Sequence, residues 1–397
     1  MTYISSTRAR CEHSLSDILS PDDNVFISAK GTFIARGYLC QLAALDVPKF
    51  LNALSDEHGH DQAPFVVFSE VFDPRFDDNS GDSVTIPREM IHISPTGWVT
   101  HYVLDDARVP EQPELKIFPA PQSPHHIELV SPETKEQFSE KVTSILKHIE
   151  TGEIDKAVLA RQLYVSADIE IDARLVLSEL ISTQPESYIY SVNGYVGASP
   201  ELLIEKFSRS IRSLPMAGTR KRHARVDDDD ASIADLQTHD KDRNEHRVVV
   251  DDIVRKLSQC VNEVNASDTP HVVRLPHVAH LATEITASAP GSVTVLDLVK
   301  VLHPTPAIAG TPTQQALDII ADTEDFSRGI YSAPVGWMDA HGDGQCAIAL
   351  RCARLEGTRA QLFAGVGIVD GSVPSQEWDE TQAKFGVMRD ALVNITQ

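Results

Sequence analysis

The chain of 397 residues is short of positive charge, of paired cysteines and of long apolar runs. Its 35 lysines and arginines face 58 aspartates and glutamates, a formal balance of −23. A surface this acidic repels phosphate backbones and anionic lipid, so neither nucleic acid nor a membrane surface is expected as a partner. Five scattered cysteines (Cys11, Cys40, Cys260, Cys346, Cys352) include no C-x-x-C. They make neither a disulfide framework nor a zinc site, and they suit a reducing compartment. No apolar run approaches the roughly 18 residues of a spanning helix. Met1 to His13 is polar where a secretory leader needs an apolar core. A soluble cytoplasmic protein is the expectation. G-x-x-x-x-G-K-[ST], H-E-x-x-H and G-x-S-x-G are all missing, which removes the commonest nucleotide, zinc and serine-hydrolase signatures.

What is present is a hydrophobic fraction of 42%, enough for a sizeable core. The length admits two or three domains or one large one. Five prolines between Pro110 and Pro124 mark an extended connector. Beyond it, Phe138, Val142, Ile145 and Ile149 recur at helical spacing up to a stop at Gly152. Ala157 to Val165 then reads as a strand. The basic run Arg220 to Arg225 and the acidic run Asp227 to Asp230 read as two sides of a solvated loop.

The last third is the most informative. Gln345 to Leu355 alternates as a strand, with Cys346, Ile348, Leu350 and Cys352 on one face. Arg351 falls on the other, among Ala347, Ala349 and Ala353, as if over a floor of small residues. In the next strand Gly365 and Gly367 share a face, and glycine within a strand often marks close approach by a ligand or another backbone. The last helix, Pro374 to about Ile395, carries a stripe of Thr381, Phe385, Met388 and Leu392, with Asp379, Ala383, Gly386 and Asp390 on the far side. Glu377, Glu380 and Lys384 flank the buried edge. Two half-buried carboxylates repel unless a cation compensates, and either Lys384 or a divalent metal would serve. Asp242 and Glu245 form a second i, i+3 pair, with Val249 opening an apolar stripe one turn on. It is either a salt-bridged helix surface or the other half of a hard-oxygen magnesium site. His58-Gly59-His60 and His125-His126 sit in loop-like sequence and read as solvated turns. Lys156 opens an apolar strand, where it either snorkels to the surface or becomes a partly desolvated amine base.

Read in order, nine segments resemble the chorismate-utilising enzymes, most closely the isochorismate synthases. They are Lys156-Ala-Val-Leu-Ala-Arg161, Gly197-Ala-Ser-Pro-Glu-Leu202, Pro215-Met-Ala-Gly-Thr219, Lys241-Asp-Arg-Asn-Glu-His246, His280-Leu-Ala-Thr283, His303-Pro-Thr-Pro-Ala307, Ile348-Ala-Leu-Arg-Cys-Ala353, Phe363-Ala-Gly-Val-Gly367 and Glu377-Trp-Asp-Glu-Thr381. The resemblance covers about residues 135 to 393. It implies an α+β fold with large central antiparallel sheets, helices outside and two internally related halves. One domain would then span 1–397, with 1–124 as its variable N-terminal part and 135–393 as its catalytic core.

The resemblance also implies chemistry: water adds at carbon 2 of chorismate while the carbon 4 hydroxyl departs, giving isochorismate. Lys156 matches the base and Glu201 the acid, each needing a pKa moved in the unusual direction. Glu245 and Glu380 match direct Mg²⁺ ligands, with Asp242 and Glu377 holding metal-bound waters. Arg351, Gly365 and Lys384 match carboxylate-binding positions. His280, Ala307 and Ile308 would line the ring pocket, and Gly218 and Thr219 a neighbouring loop. A monomer is expected.

Other branches fit less well. The amine-transferring branch that uses a covalent lysine places it at the third position of P-I-K-G-T, where this chain has Ala217. The anthranilate type lacks a lysine at the place of Lys156. A salicylate synthase, which goes on to eliminate pyruvate, is the alternative enzyme, and an inactive metabolite-binding relative is the alternative from another class. The pathway that uses the product, siderophore or menaquinone synthesis, does not follow from sequence.

Overall fold

The run Ala157–Leu163 is buried on both faces, as expected of an interior strand covered on either side. It belongs to the strand Lys156–Ala167, which pairs antiparallel with Arg359–Val369 from Lys156↔Val369 to Ser166↔Arg359. The structure is a computed structural model, and it describes residues 3–55, 63–73, 75, 83–105 and 114–396. Among these, a 12-stranded and a 7-stranded antiparallel sheet dominate, with a 3-stranded sheet beside them.

The N-terminal strands enter both large sheets. Tyr3–Arg10, Asn24–Ser28, Gly31–Arg36, Glu89–Ile93 and Trp98–Asp105 lie together at one end of the larger sheet, where Val25–Ile27 pairs with Ile189–Ser191. Phe65–Ser69 pairs with Pro334–Asp339 in the smaller. The described part of the proline-rich connector, from residue 114 on, has no regular secondary structure up to Ile127. It is tied down: Phe118 N donates to Asp17 O, and Arg174 donates to Pro119 O. It is a strap across the surface more than a free linker.

Two neighbouring strands cross from one sheet to the other, and this sets the centre of the molecule. Tyr195–Ser199 lies in the larger sheet, and the chain breaks at Pro200 and Glu201 before Leu202–Phe207 enters the smaller. Gly344–Ile348 lies in the smaller sheet and Cys352–Glu356 in the larger. The single strand expected over Gln345–Leu355 is therefore two strands with a bend between. Arg351 stands in that bend with φ of +50°, which breaks simple alternation. Ala347, Ala349 and Ala353 pack into the apolar cores on either side and make no floor beneath the guanidinium.

The helices follow their patterns. Lys135–Glu150 buries Phe138, Val142 and Ile145, and Thr134 caps it by accepting from Gln137 N. Pro374–Asn394 buries Thr381, Phe385, Met388 and Leu392, each large apolar side chain contributing about 1.5–3 kcal/mol. Gly386, expected on its far side, is buried; a Cβ there would lie 2.9 Å from His277 Nδ1. The acidic run is no loop: Asp227–Asp229 fill the first turn of the helix Val226–Thr238, where negative charge is favourable. Asp229 also takes the Arg222 guanidinium. No described helix is long and apolar enough to cross a membrane, and the five cysteines are free.

Candidate active site

The two crossings place Glu201 and Arg351 on one cavity between the sheets. Its walls come from six places in the chain: Val158 on the long strand, the Pro200–Glu201 crossing, Met216–Thr219, Ala307–Ile308, the Leu350–Arg351 bend, and Gly365 and Gly367 on the partner strand. Helices add Glu245, from Asp240–Leu257, and Glu380 and Lys384, from Pro374–Asn394. His280, Tyr331 and Ser332 complete the lining.

The space is about 60 Å³, and opposite charges are paired at its edge. Lys156 Nζ donates to Glu245 Oε1 at 2.8 Å, and Lys384 Nζ lies 2.7 Å from Glu380 Oε1. Lys384 also donates to Gly365 O at 2.9 Å. Gly367 makes this closeness possible: a Cβ there would lie 2.5 Å from Glu245 Oε1 and 2.8 Å from Lys156 Cε.

Glu201 is buried, and burial raises its carboxyl to about 7 against a backbone hydrogen bond at Met216 and the charges of Arg351, Lys156 and Lys384. Such a group holds a proton near neutrality and can give it up. Lys156 is buried too, so it does not snorkel to the surface, and its ammonium meets the Glu245 carboxylate. Burial would push Glu245 up; Lys156 and the more distant Lys384 and Lys241 outweigh it and hold it below its usual range.

Arg351 is fully enclosed, and its Nη2 lies 2.9 Å from His280 Nε2. A guanidinium has no acceptor, so His280 Nε2 accepts and its proton sits on Nδ1. That Nδ1–H faces Gly218 O at 3.2 Å and Thr219 Oγ1 at 3.1 Å. Burial and the Arg351 charge hold the imidazole well below its usual pKa, in agreement with this neutral tautomer. A chain of contacts thus runs from the Gly218–Thr219 loop through His280 to the guanidinium.

Asp242 and Glu377 stand behind the lining. Asp242 pairs with Arg220 at 2.6 Å, and burial raises its pKa above the usual value despite that partner. Glu377 accepts from Lys241 at 3.2 Å and is raised by burial and by Glu380 nearby. The four acids suit a hard divalent cation by donor chemistry. Among the described residues no three acidic, histidine or cysteine side chains converge into a closed cage. A cation here would take one or two carboxylates and fill its shell with water and substrate, which is the habit of Mg²⁺.

All fourteen residues singled out from the sequence lie on this cavity or directly behind it, with Lys156 and the two outer acids in the second position. The histidine pairs lie elsewhere. His125 is exposed and pairs with Asp168, while His58 and His60 fall outside the described residues. His303 caps the helix Val295–Leu302 and faces Phe72 O, away from the cavity. Sequence reasoning missed Tyr331 and Ser332, which follow no period; the glycine of Arg328-Gly329 just before them is the only local hint of a tight turn.

Residues 103–393 match the family model described as "Chorismate binding enzyme". The chain belongs to the chorismate binding enzymes. The isochorismate synthase MenF of Bacillus subtilis is 37% identical over 262 residues, which is 65% of this chain and 56% of that protein. The isochorismate synthase EntC of Escherichia coli is 34% identical over 287 residues, 71% of this chain and 73% of the relative. The first of these alignments thus spans little more than half of the relative's length. Among solved structures, the menaquinone-specific isochorismate synthase MenF of Escherichia coli superposes with a TM-score of 0.82 over 99% of this chain and 95% of the other, at 22% identity. At that identity the likeness speaks for the fold, an α+β arrangement of large antiparallel sheets with helices outside.

Proposed function

We propose that this chorismate binding enzyme is an isochorismate synthase, an isomerase that adds water at carbon 2 of chorismate and releases the carbon 4 hydroxyl. The observation that carries the reading is the buried Glu201, poised near pKa 7 on the cavity wall, with Lys156 directly behind that wall and close enough for Glu201 to feel its charge. An acid on the wall and an amine just behind it are the two groups that this exchange of hydroxyls requires. Lys156, acting as the neutral amine, takes the proton of the attacking water, and Glu201 gives its proton to the departing hydroxyl.

The dianionic substrate is held by local cations, since the net charge of the chain would repel it. Arg351, fixed by His280, and Lys384, fixed by Gly365 O, take carboxylates. The Gly365 backbone helps to hold a carboxylate, His280, Ala307 and Ile308 bound the ring, and Gly218 and Thr219 lie at the neighbouring loop. Glu245 and Glu380 would hold a Mg²⁺ ion, with Asp242 and Glu377 behind them. Such an ion supplies charge neutralisation at the ring carboxylate. Ala217 lines the cavity where the branch with a covalent lysine would need its nucleophile, so that amine-transferring route has no group to begin it.

The whole chain acts as one unit, with 1–124 its variable part and 135–393 its catalytic core. Strand pairing of N-terminal segments into both large sheets supports this. The free cysteines suit a cytoplasmic monomer without disulfides, and relatives described as menaquinone-specific and vibriobactin-specific make menaquinone or siderophore synthesis the candidate users of its product.

Incubation of the pure protein with chorismate and Mg²⁺, followed by separation of the products, tests the reading. Isochorismate alone is expected. Salicylate with pyruvate would move the chain to the salicylate synthases, and no turnover would make it a binding protein.

A further inference from the structure

Behind the cavity wall lies a buried ion pair that lines no part of the cavity itself. Arg328 and Glu324 have side chains 2% and 3% exposed, and Arg328 Nη2 lies 2.5 Å from Glu324 Oε1. Arg328 Nε donates to Glu324 Oε2 at 2.8 Å. The same guanidinium donates to two carbonyls on two separate elements, Ile308 O at 3.0 Å and Val158 O at 2.6 Å. Val158 and Ile308 both line the cavity, and so does Tyr331, whose N–H donates to Arg328 O at 2.9 Å.

The reason lies in the sheet. On the edge of Lys156–Ala167 away from Arg359–Val369, Lys156 and Ala157 pair with Gly310–Thr311, and Tyr164–Ala167 with Ile127–Val130. Between these two short partners no described strand runs alongside. Instead Val158 N donates to Ala309 O at 2.7 Å, Val158 O accepts from Arg328, and Ala160 N donates to Glu324 Oε1 at 2.7 Å. Two side chains complete a strand edge two residues beyond Lys156, and they tie it to the Ala307–Ile308 wall.

We propose that Arg328, held by Glu324, is a positioning residue that fixes the distance between the Val158 and Ile308 walls and so sets the width of the ring pocket. The inference rests on the chorismate reading above and deepens it. A planar guanidinium suits the task because its fork holds both carbonyls and the carboxylate together, whereas an ammonium at the same place cannot span them. A second cavity of about 350 Å³ abuts the pair, lined in part by Phe72, Ile320, Phe326, Glu324 and Arg328, and it shares no lining residue with the active-site cavity. It leaves room for a small cation to reach the place of Arg328 once the side chain is removed.

The experiment uses the full chain with Arg328→Lys, Arg328→Ala and Glu324→Gln, and reads chorismate KM, kcat and the thermal midpoint. Arg328→Lys is expected to raise KM about tenfold or more, with kcat changed far less, because a loosened wall weakens ground-state grip. In Arg328→Ala, millimolar guanidinium is expected to lower KM again, while equal sodium chloride or urea does not. Glu324→Gln, which keeps an acceptor for Ala160 N, is expected to fall between wild type and Arg328→Lys. An unchanged KM in a folded Arg328→Lys protein, or no response of a folded Arg328→Ala protein to guanidinium, overturns the proposal. Wild-type turnover separates the two claims. If wild type does not convert chorismate, the function reading fails, and calorimetric affinity for chorismate in the same variants then decides the positioning role.

Discussion

Lys156 and Glu245 are each other's counter-ion, with Nζ and Oε1 2.8 Å apart at the edge of the cavity. The proposed base and a proposed metal-holding carboxylate therefore begin in one pair, and Lys384 with Glu380 repeats the arrangement at 2.7 Å. An ammonium and a divalent cation on the same oxygen compete. Lys156→Met should therefore tighten Mn²⁺ or Mg²⁺ binding to the substrate-free protein by about tenfold or more, while Glu245→Gln weakens it. Calorimetric titration with the metal alone reads both. Equal or weaker metal affinity in Lys156→Met would mean that the lysine does not mask the carboxylate.

Glu201 makes stability depend on pH in a definite direction. Its carboxyl is at about 7 in the folded chain against 4.5 for the free side chain, so the folded state holds the proton more tightly. That contribution is complete below about pH 4.5 and is lost as pH rises through about 7. Relative to Glu201→Gln, the wild-type protein should lose roughly 2–3 kcal/mol between about pH 5 and about pH 8. Chemical denaturation of both proteins across that range is the measurement, and parallel stability curves would show that the carboxyl titrates normally.

Gly367→Ala places a methyl group 2.5 Å from Glu245 Oε1 and 2.8 Å from Lys156 Cε. Both neighbours are side-chain atoms, so the strand survives and the pair at the site is pushed apart. Turnover should fall by about tenfold or more with a stability change within about 2 kcal/mol. Gly291→Ala is the control: nothing lies within 4 Å of its Cβ, and both activity and stability should be unaltered. A fully active Gly367→Ala protein would show that the close approach is not needed.

The route from Gly218 O through His280 to Arg351 gives an ordering of variants. His280→Gln keeps an acceptor near Arg351 Nη2 and should raise chorismate KM less than His280→Leu, which leaves the buried guanidinium without that partner. Steady-state kinetics of the two proteins supply the comparison, and equal effects would place His280 outside the positioning of Arg351.

The sequence marked residues that gather around one cavity, while several turns of the fold stayed hidden in it, for identifiable reasons. Helical spacing placed Glu377, Glu380 and Lys384 on the edge of a buried stripe, and their helix runs as expected. The glycine face of Arg359–Val369 was readable because glycine weakens a strand and stays where another group must come close. Gln345–Leu355 misled because its residue pattern alternates straight through a change of sheet, whereas the backbone bends there and Arg351, at positive φ, reaches the cavity from the bend. Arg328 and Glu324 were invisible because their partners, Val158, Ala160 and Ile308, are main-chain groups far away in the sequence. Charge runs carried the least: Asp227–Asp230 opens a helix, because a cluster of carboxylates suits a helix N-terminus as well as a solvated turn.

The central claim is that water enters at carbon 2 under Lys156 while Glu201 releases the carbon 4 hydroxyl. Turnover of chorismate in H₂¹⁸O, with mass spectrometry and NMR of the product, tests it most directly. Isochorismate carrying ¹⁸O at carbon 2 is expected from the wild-type protein, with most of that signal lost in Lys156→Ala and in Glu201→Gln. Unlabelled isochorismate, or full labelling in either variant, would contradict the account.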